Sequence, residues 1–447
     1  MRYEPVPINV ADQAAQRMTA SLNAAQIAVT VRRIAPDAMP STEPDRLTLF
    51  AALLDHDPKI VKARAAIATA QAEARSSRHA AGPTFTLTSE YANDPTTSSP
   101  WLIGGAVDIP LDRGGQRKSR LDRADLAILV ARYDYAETLW NERMALRRAL
   151  IDGEIARRQV SLGTDILALR DRQITALERL VASGELAGAL VSPNRALRAQ
   201  EMRALDDARA KLIASRAAIA GLLAVPTASL GESAPVWPDF DRPLADPAAA
   251  ITPEMRVQAV AGRADVLREL ASYDQTEADV RLEIAKQYPV ISLAPGYTWE
   301  RGLVKLPLSV NLALPNFDLN QSAIRAALAK RDEAGAAVEQ TIAAAQAEID
   351  AALVERRAAM AALDRLRGDE LPQTRASADR AQAQLMQGQI GRADWVDAQL
   401  AALVARLTAL DALSRAQIAD AALEDALRRP LEGPETMIKP ERLEAKP

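Results

Sequence analysis

Cysteine is absent from all 447 residues, which excludes a disulfide framework, a thiolate metal site, a cysteine nucleophile and a lipid anchor on cysteine within this chain. Aromatic residues are scarce at 4%, although 48% of the chain is apolar. That apolar half is heavily alanine, so helices packed through small side chains fit better than a bulky globular core. Neither sign of charge dominates. There are 55 Lys and Arg against 59 Asp and Glu, a net charge of −4, without the basic stripe of a nucleic-acid binder. No uninterrupted run of about 18 apolar residues occurs, which excludes a transmembrane helix and leaves a transmembrane β-barrel open. The opening MRYEPVPINV also lacks the basic start and apolar core of a signal peptide, which taken literally points to the cytoplasm.

What is present is punctuation that repeats. Residues 1–46 form an N-terminal segment in which Pro5, Pro7, Pro36, Pro40 and Pro44 discourage a continuous helix. A first repeat over 47–224 follows: a helix with Pro58 in its first turn, a segment of different character over 83–111, a long helix over 119–182, breaks at Gly184 and Gly188, and a helix over 193–223. A Pro-rich linker spans 225–253. The same events recur in a second repeat over 254–428: a helix, an odd segment at 289–317, a long helix over 320–387, breaks at Gly388 and Gly391, and a helix over 393–427. Residues 429–447 form a C-terminal tail. Asp57 and Arg263, Pro83 and Pro289, Tyr91 and Tyr297, and Asp112 and Asp318 are each 206 apart. A constant offset of this kind reads as an internal duplication.

The helical text is seam-like. Val338, Ile342, Ala345, Ile349, Ala352, Arg356, Ala359, Leu363 and Leu366 alternate spacings of four and three, a heptad seam of mostly small and branched residues. In the first repeat Leu139, Leu146, Val160, Leu167 and Ile174 share one heptad position, with Gly153 as its weak member. At about 1.5 Å per residue the two long helices would run roughly 95 and 100 Å, with a kink expected at Gly368 and Pro372 in the second. The shorter helices of each repeat, laid end to end, nearly match the long one, which suggests a long antiparallel bundle.

The two odd segments alternate with period two. Val304, Leu306, Leu308, Val310, Leu312 and Leu314 interleave with Leu303, Lys305, Pro307, Ser309, Asn311 and Ala313; Phe85, Leu87 and Tyr91 interleave with Thr84, Thr86, Thr88 and Glu90. This is strand periodicity, and each segment reads as a hairpin of two strands of about ten residues, long enough to cross a bilayer when tilted. A soluble hairpin resting on helices is the plainer reading. Against it, Tyr91, Trp101, Tyr297 and Trp299 gather at or near the hairpin turns, where membrane-interface aromatics belong. Four strands are also too few to close a barrel, so their edges would have to pair with other chains. The fold class expected is mainly α with a small β part: duplicated coiled-coil helical hairpins plus four transmembrane β-strands per chain. Leu306, Leu308, Val310 and Leu312 would face lipid.

The chain resembles the TolC family of trimeric outer-membrane efflux ducts over about Leu47 to Leu427. The stretches that carry the likeness are HDPKIVKARAAIATAQAEAR, the strand-to-helix junctions PLDRGGQRKSRLDRA and LPNFDLNQSAIRAALAKR, and GQIGRADWVDAQL at the last break. The resemblance implies a homotrimer pooling four strands per chain into one barrel in the outer membrane. It also implies a helical tunnel crossing the periplasm, and work with a periplasmic adaptor and an inner-membrane pump. The linker and tail would contribute to a belt around the tunnel. Many members carry a lipidated cysteine just before a Tyr-x-Pro-like stretch, whereas here Met1 stands directly before Arg2-Tyr3-Glu4-Pro5; an export leader is therefore expected upstream or already trimmed.

No catalytic or cofactor constellation stands out, and an enzyme is not expected. His56 and His79 lie near opposite ends of one helix. Gly114-Gly115 lacks the Lys-Ser/Thr of a phosphate-binding loop. Nine methionines without a Met/His cluster select no metal. Asp394 and Asp397 lie three apart on one helix face, where favourable charge at a helix start is a sufficient account. The resemblance implies more: acidic residues at matching positions line the periplasmic entrance of family ducts, so three chains would converge six carboxylates there, with Arg392 as the nearest candidate partner. The rival to a passive outer-membrane duct is a soluble or periplasmic coiled-coil scaffold or adaptor.

Overall fold

A computed structural model describes residues 4–38, 43–79, 82–91, 93, 99–111, 115–231, 234–243, 251–300, 302–314 and 317–443. Arg2, Tyr3, Pro40, Asp112 and Gly114 lie outside the described residues. The chain divides into two compact units, one gathering 1–61, 138–260 and 345–446, the other 62–137 and 261–344. Both units draw on both repeats.

In the first unit, helices α1 (Val10–Met18) and α2 (Ala24–Ile34) begin where Asn9 and Asn23 accept backbone N–H bonds at 3.0 Å from Ala11 and Ala25. Helix α3 (Arg46–His56) opens on a capping box between Asp45 and Thr48. Helix α4 (Pro58–Ser77) starts on proline, whose missing N–H costs nothing there, and Asp57 caps it by accepting from Lys59 N at 2.6 Å and Ile60 N at 3.0 Å. Strands β1 (Thr84–Tyr91) and β2 (Trp101–Leu111) follow, then helix α5 (Gln116–Ala182), 67 residues and so about 100 Å long. Helix α6 (Val191–Leu222) completes the first repeat. The second runs through α7 (Pro253–Ala261), α8 (Ala264–Ala285), strands β3 (Val290–Glu300), β4 (Leu303–Lys305) and β5 (Leu308–Ala313), and helices α9 (Gln321–Arg365), α10 (Leu371–Met386) and α11 (Arg392–Leu427).

The core of the first unit joins Met144, Ile151 and Leu162 of α5 to Leu363 of α9, to Leu410, Leu413 and Ala416 of α11, and to Phe240 of the linker. The heptad seam accounts for this: Ala345, Ile349, Ala352, Ala359 and Leu363 are all buried. The seam's one charged member, Arg356, is buried as well and meets Asp420 of α11 at 2.5 Å. A larger buried ion network ties α3, α5, α11 and the C-terminal segment together. Arg46 pairs with Glu432 at 3.2 Å and Glu435 at 3.0 Å, Arg147 pairs with Glu432 at 2.8 Å, and Glu424 accepts from both Arg143 and Arg147. Arg46 also lies 4.3 Å over the Trp237 ring. Three guanidinium groups thus face three carboxylates, and removing one partner of such a buried set costs about 3–5 kcal/mol because the other charge is stranded.

The breaks after α5 and α10 share one construction. Gly184 and Gly388 adopt φ of +78° and +68°, which a side chain disfavours. Glu185 N donates to Leu180 O and Gln389 N to Gln384 O, each at 2.9 Å, closing the last helical turn back on itself. The interruption expected at Gly368 and Pro372 takes the form of a single π-turn, Leu366–Glu370, between α9 and α10, with Pro372 in the first turn of α10.

Candidate functional site: a two-faced sheet and an acidic helix start

Within the second unit the strands form one antiparallel sheet in the order β1-β2-β3, with β4 and β5 both pairing β3 on its far side. Register fixes the faces, since residues directly opposite on neighbouring strands point the same way. Phe85 pairs with Val107, Leu87 with Gly105 and Tyr91 with Trp101; Ile103 pairs with Trp299 and Ile109 with Leu293; Leu293 pairs with Val310 and Ile291 with Leu312. This face carries no charged residue among the described strands. The opposite face holds Thr84, Thr86, Thr88, Glu90, Asp108, Ser292, Thr298, Glu300, Lys305, Ser309 and Asn311. Its charges are partly balanced: Lys305 pairs with Glu300, and Asn311 donates to Asp108 at 3.2 Å, reaching across β3 over the small Ala294. The apolar face is nonetheless exposed, with Leu87, Leu308 and Val310 at 71%, 69% and 61%. An exposed face that is wholly uncharged is matched to hydrocarbon and not to water.

All four aromatics singled out from sequence lie on that apolar face, and the Tyr91 and Trp101 rings meet edge to face with centroids 5.0 Å apart. Leu308, Val310 and Leu312 lie there too. Leu306 does not belong with them. The expected continuous strand over 303–314 is split, because Pro307 has no N–H to continue the ladder and instead accepts from Gly296 N at 2.8 Å. Leu306 falls in the gap between β4 and β5. Gly105 sits in the middle of the apolar face where a Cβ would come within 3.1 Å of the Phe85 ring, so the aromatic side chain covers the bare backbone. Where β5 leads into α9, Asp318 accepts from Ser322 and from Asn320 N at 3.0 Å, and these bonds hold its carboxyl below the ordinary value.

The acidic pair lies in the first unit. Gly391 N donates to Asp394 at 3.2 Å, which satisfies one of the free donors at the start of α11. Asp397, one turn on and exposed, accepts from Gln173 Nε2 of α5 at 2.5 Å. Gln173 is buried and is itself held by Arg170 at 2.7 Å, which pairs in turn with Glu201 of α6 at 2.6 Å. A relay Asp397–Gln173–Arg170–Glu201 therefore spans three helices. Sequence reasoning missed Gln173 and Arg170, whose partners lie 224 and 31 residues away in the chain. Arg392, expected to pair with the aspartates, is exposed and makes no ion pair with either among the described residues; the caps and Gln173 take those oxygens. No group of three metal-ligating side chains occurs among the described residues, and no helix there is long and apolar enough to cross a membrane.

The profile of the outer membrane efflux protein family matches residues 49–225 and 255–427, most of the chain and both repeats. The chain belongs to this family. As an outer-membrane channel protein of the TolC type, it has its place in the outer membrane, extending into the periplasm. The fold is that of solved outer-membrane channels. A membrane protein from Pseudomonas aeruginosa is 21% identical over 89% of this chain and 95% of its own, with a TM-score of 0.72. The MtrE outer membrane channel of Neisseria gonorrhoeae, solved in its open state, is 17% identical over 90% and 96%, with a TM-score of 0.70. The outer membrane protein VceC of Vibrio cholerae is 18% identical over 86% and 96%, with a TM-score of 0.69. No curated protein sequence matches the chain.

Proposed function

We propose that the chain is one third of a homotrimeric outer-membrane duct through which small solutes pass passively, received from an inner-membrane pump through a periplasmic adaptor. The observation that carries this reading is the two-faced sheet. It has an uncharged outer face, a polar inner face and, among the described residues, unpaired edges at β1 and at β4 and β5. In hydrocarbon an unpaired strand edge costs several kcal/mol per orphaned group, so the edges require partner strands, and identical chains supply them. The polar face then lines water. The duct needs no cofactor and performs no catalysis. Tyr91, Trp101, Tyr297 and Trp299 anchor the barrel at the membrane interface, and Leu308, Val310 and Leu312 face lipid.

Asp394 and Asp397 form the acidic part of the periplasmic constriction, with Arg392 exposed beside them. Three copies of each aspartate around one axis attract cations and repel one another. Single-channel reversal potentials in a salt gradient test this. Replacing both aspartates with asparagine is expected to keep the assembly and lower cation selectivity; an unchanged reversal potential removes them from the pore. A stable monomer by mass measurement in detergent would overturn the trimer.

A further inference from the structure

The duplication allows the two copies to be compared position by position where the sheet meets the helices. Over every residue of 72–83 and 112–123, the flanks of the first hairpin, seven Lys and Arg stand against three Asp and Glu. In their counterparts 206 residues on, 278–289 and 318–329, three stand against three. The first copy therefore carries four surplus positive charges and the second none. Three remain when Asp125, which meets Arg78 at 3.3 Å, is set against them. Helix α5 gains nothing from this charge. Arg117, Lys118 and Arg120 stand at its start, where the helix dipole favours acidic residues, and its first turn holds no acidic residue.

The surplus forms one collar. Arg117 donates to Arg78 O at 3.1 Å, which joins the start of α5 to the segment after α4, and Gln116 Nε2 donates to Ala285 O at 3.2 Å, which joins it to the end of α8. Arg75, Arg78, Arg117, Lys118, Arg120 and Arg123 are all exposed. The collar begins where the apolar face of the sheet stops. Leu111, Ile291 and Leu312 form the last row of that face. Gln116 follows Leu111 by five residues, at most about 17 Å of chain. A bilayer's headgroup layer adds roughly 5–7 Å on each side of the hydrocarbon, and the long stems of Lys and Arg carry their charge back towards it.

We propose, on the reading that this sheet lies in the membrane, that the first-copy collar binds anionic phospholipid headgroups of the leaflet facing the periplasm, with Lys118 and Arg120 as its main contacts. Electron spin resonance tests this on the full chain reconstituted in phosphatidylcholine bilayers, with either phosphatidylglycerol or phosphatidylcholine spin-labelled at the same chain position. Lipid at the protein boundary is motionally restricted, so the two spectra give the relative association of the two headgroups. Phosphatidylglycerol is expected to be favoured by about fivefold, the worth of one basic residue at an anionic surface. The preference should vanish in 1 M salt, where the screening length is about 3 Å. Lys118→Gln with Arg120→Gln should remove most of it, whereas the charge-keeping pair Lys118→Arg with Arg120→Lys should retain it. Restricted lipid without a preference in the parent chain, or an undiminished preference with both glutamines, would overturn the collar and leave the placement of the sheet standing. Absence of restricted lipid altogether would overturn both.

Discussion

Val310 and Asn311 are neighbours in the chain and opposites in the sheet, which makes them the sharpest probe of sidedness. Val310 lies in a row with Leu293 and Ile109, all apolar, near the middle of β5. Asn311 lies opposite Ser292 and donates to Asp108. Val310→Arg would place a guanidinium in hydrocarbon, at a cost of about 2–4 kcal/mol per chain near the midplane. With tenfold per 1.4 kcal/mol, that is roughly a 30- to 700-fold loss in the folding equilibrium of each chain. Asn311→Arg introduces the same group at the Asp108 carboxylate on the wet face, where an exposed ion pair contributes about 0–1 kcal/mol of stabilisation. Urea titration of refolding into lipid vesicles, followed by heat-dependent gel mobility, measures both. Equal losses for the two variants, or a larger loss for Asn311→Arg, would refute the assignment of faces.

Three further outcomes follow from the first unit. Asp397→Ala should leave the buried Gln173 amide without its acceptor and cost about 1–3 kcal/mol in thermal or urea unfolding, whereas Asp397→Asn keeps an oxygen there and should cost less while still removing the charge. Ending the chain after Arg429 removes Glu432 and Glu435, which strands Arg46 and leaves Arg147 with Glu424 alone; a loss of about 3–5 kcal/mol is expected, and an unchanged unfolding midpoint would show that the network does not hold the tail. Gly388→Ala should destabilise the α10 end by about 1 kcal/mol because of its φ of +68°, read as faster hydrogen exchange at the Gln389 amide.

Much of this architecture is legible in the order of residues because its signals are local. Period two in Phe85, Leu87 and Tyr91, and the four-three spacing from Val338 to Leu366, each require only a dozen or two neighbouring positions to read, and local geometry obeys them. Leu306 shows where pattern alone fails: its hydrophobicity continues the alternation, but the next residue cannot donate to a ladder. The relay through Gln173 and Arg170, and the buried set around Glu424, were not legible. They join side chains up to several hundred residues apart, and no spacing rule connects Arg46 to Glu432. Asp394 and Asp397 lie between these cases. Their shared face follows from helical period, but their separate hydrogen-bond partners do not.

The π-turn at Leu366–Glu370 carries one more consequence, best put as a phase. Up to Leu366 the inward positions of the helix step by four and three, and continuing that count would turn residues 370, 373, 377 and 380 inward. The least exposed residues of α10 are instead Leu371, Thr374, Ala378 and Ala381, the same rhythm displaced by one. The extra residue of the π-turn absorbs that slip, about 100° of rotation at 3.6 residues per turn. The stretches on either side are therefore two separately registered seams joined by a coupling. Deleting one residue within 366–370 would turn the π-turn into regular α-helix and leave Ala378 and Ala381 in phase with the seam, and deleting a whole heptad from either side would shorten the rod with the phase intact, whereas deleting one residue elsewhere in α9 or α10 would rotate the two stretches against each other.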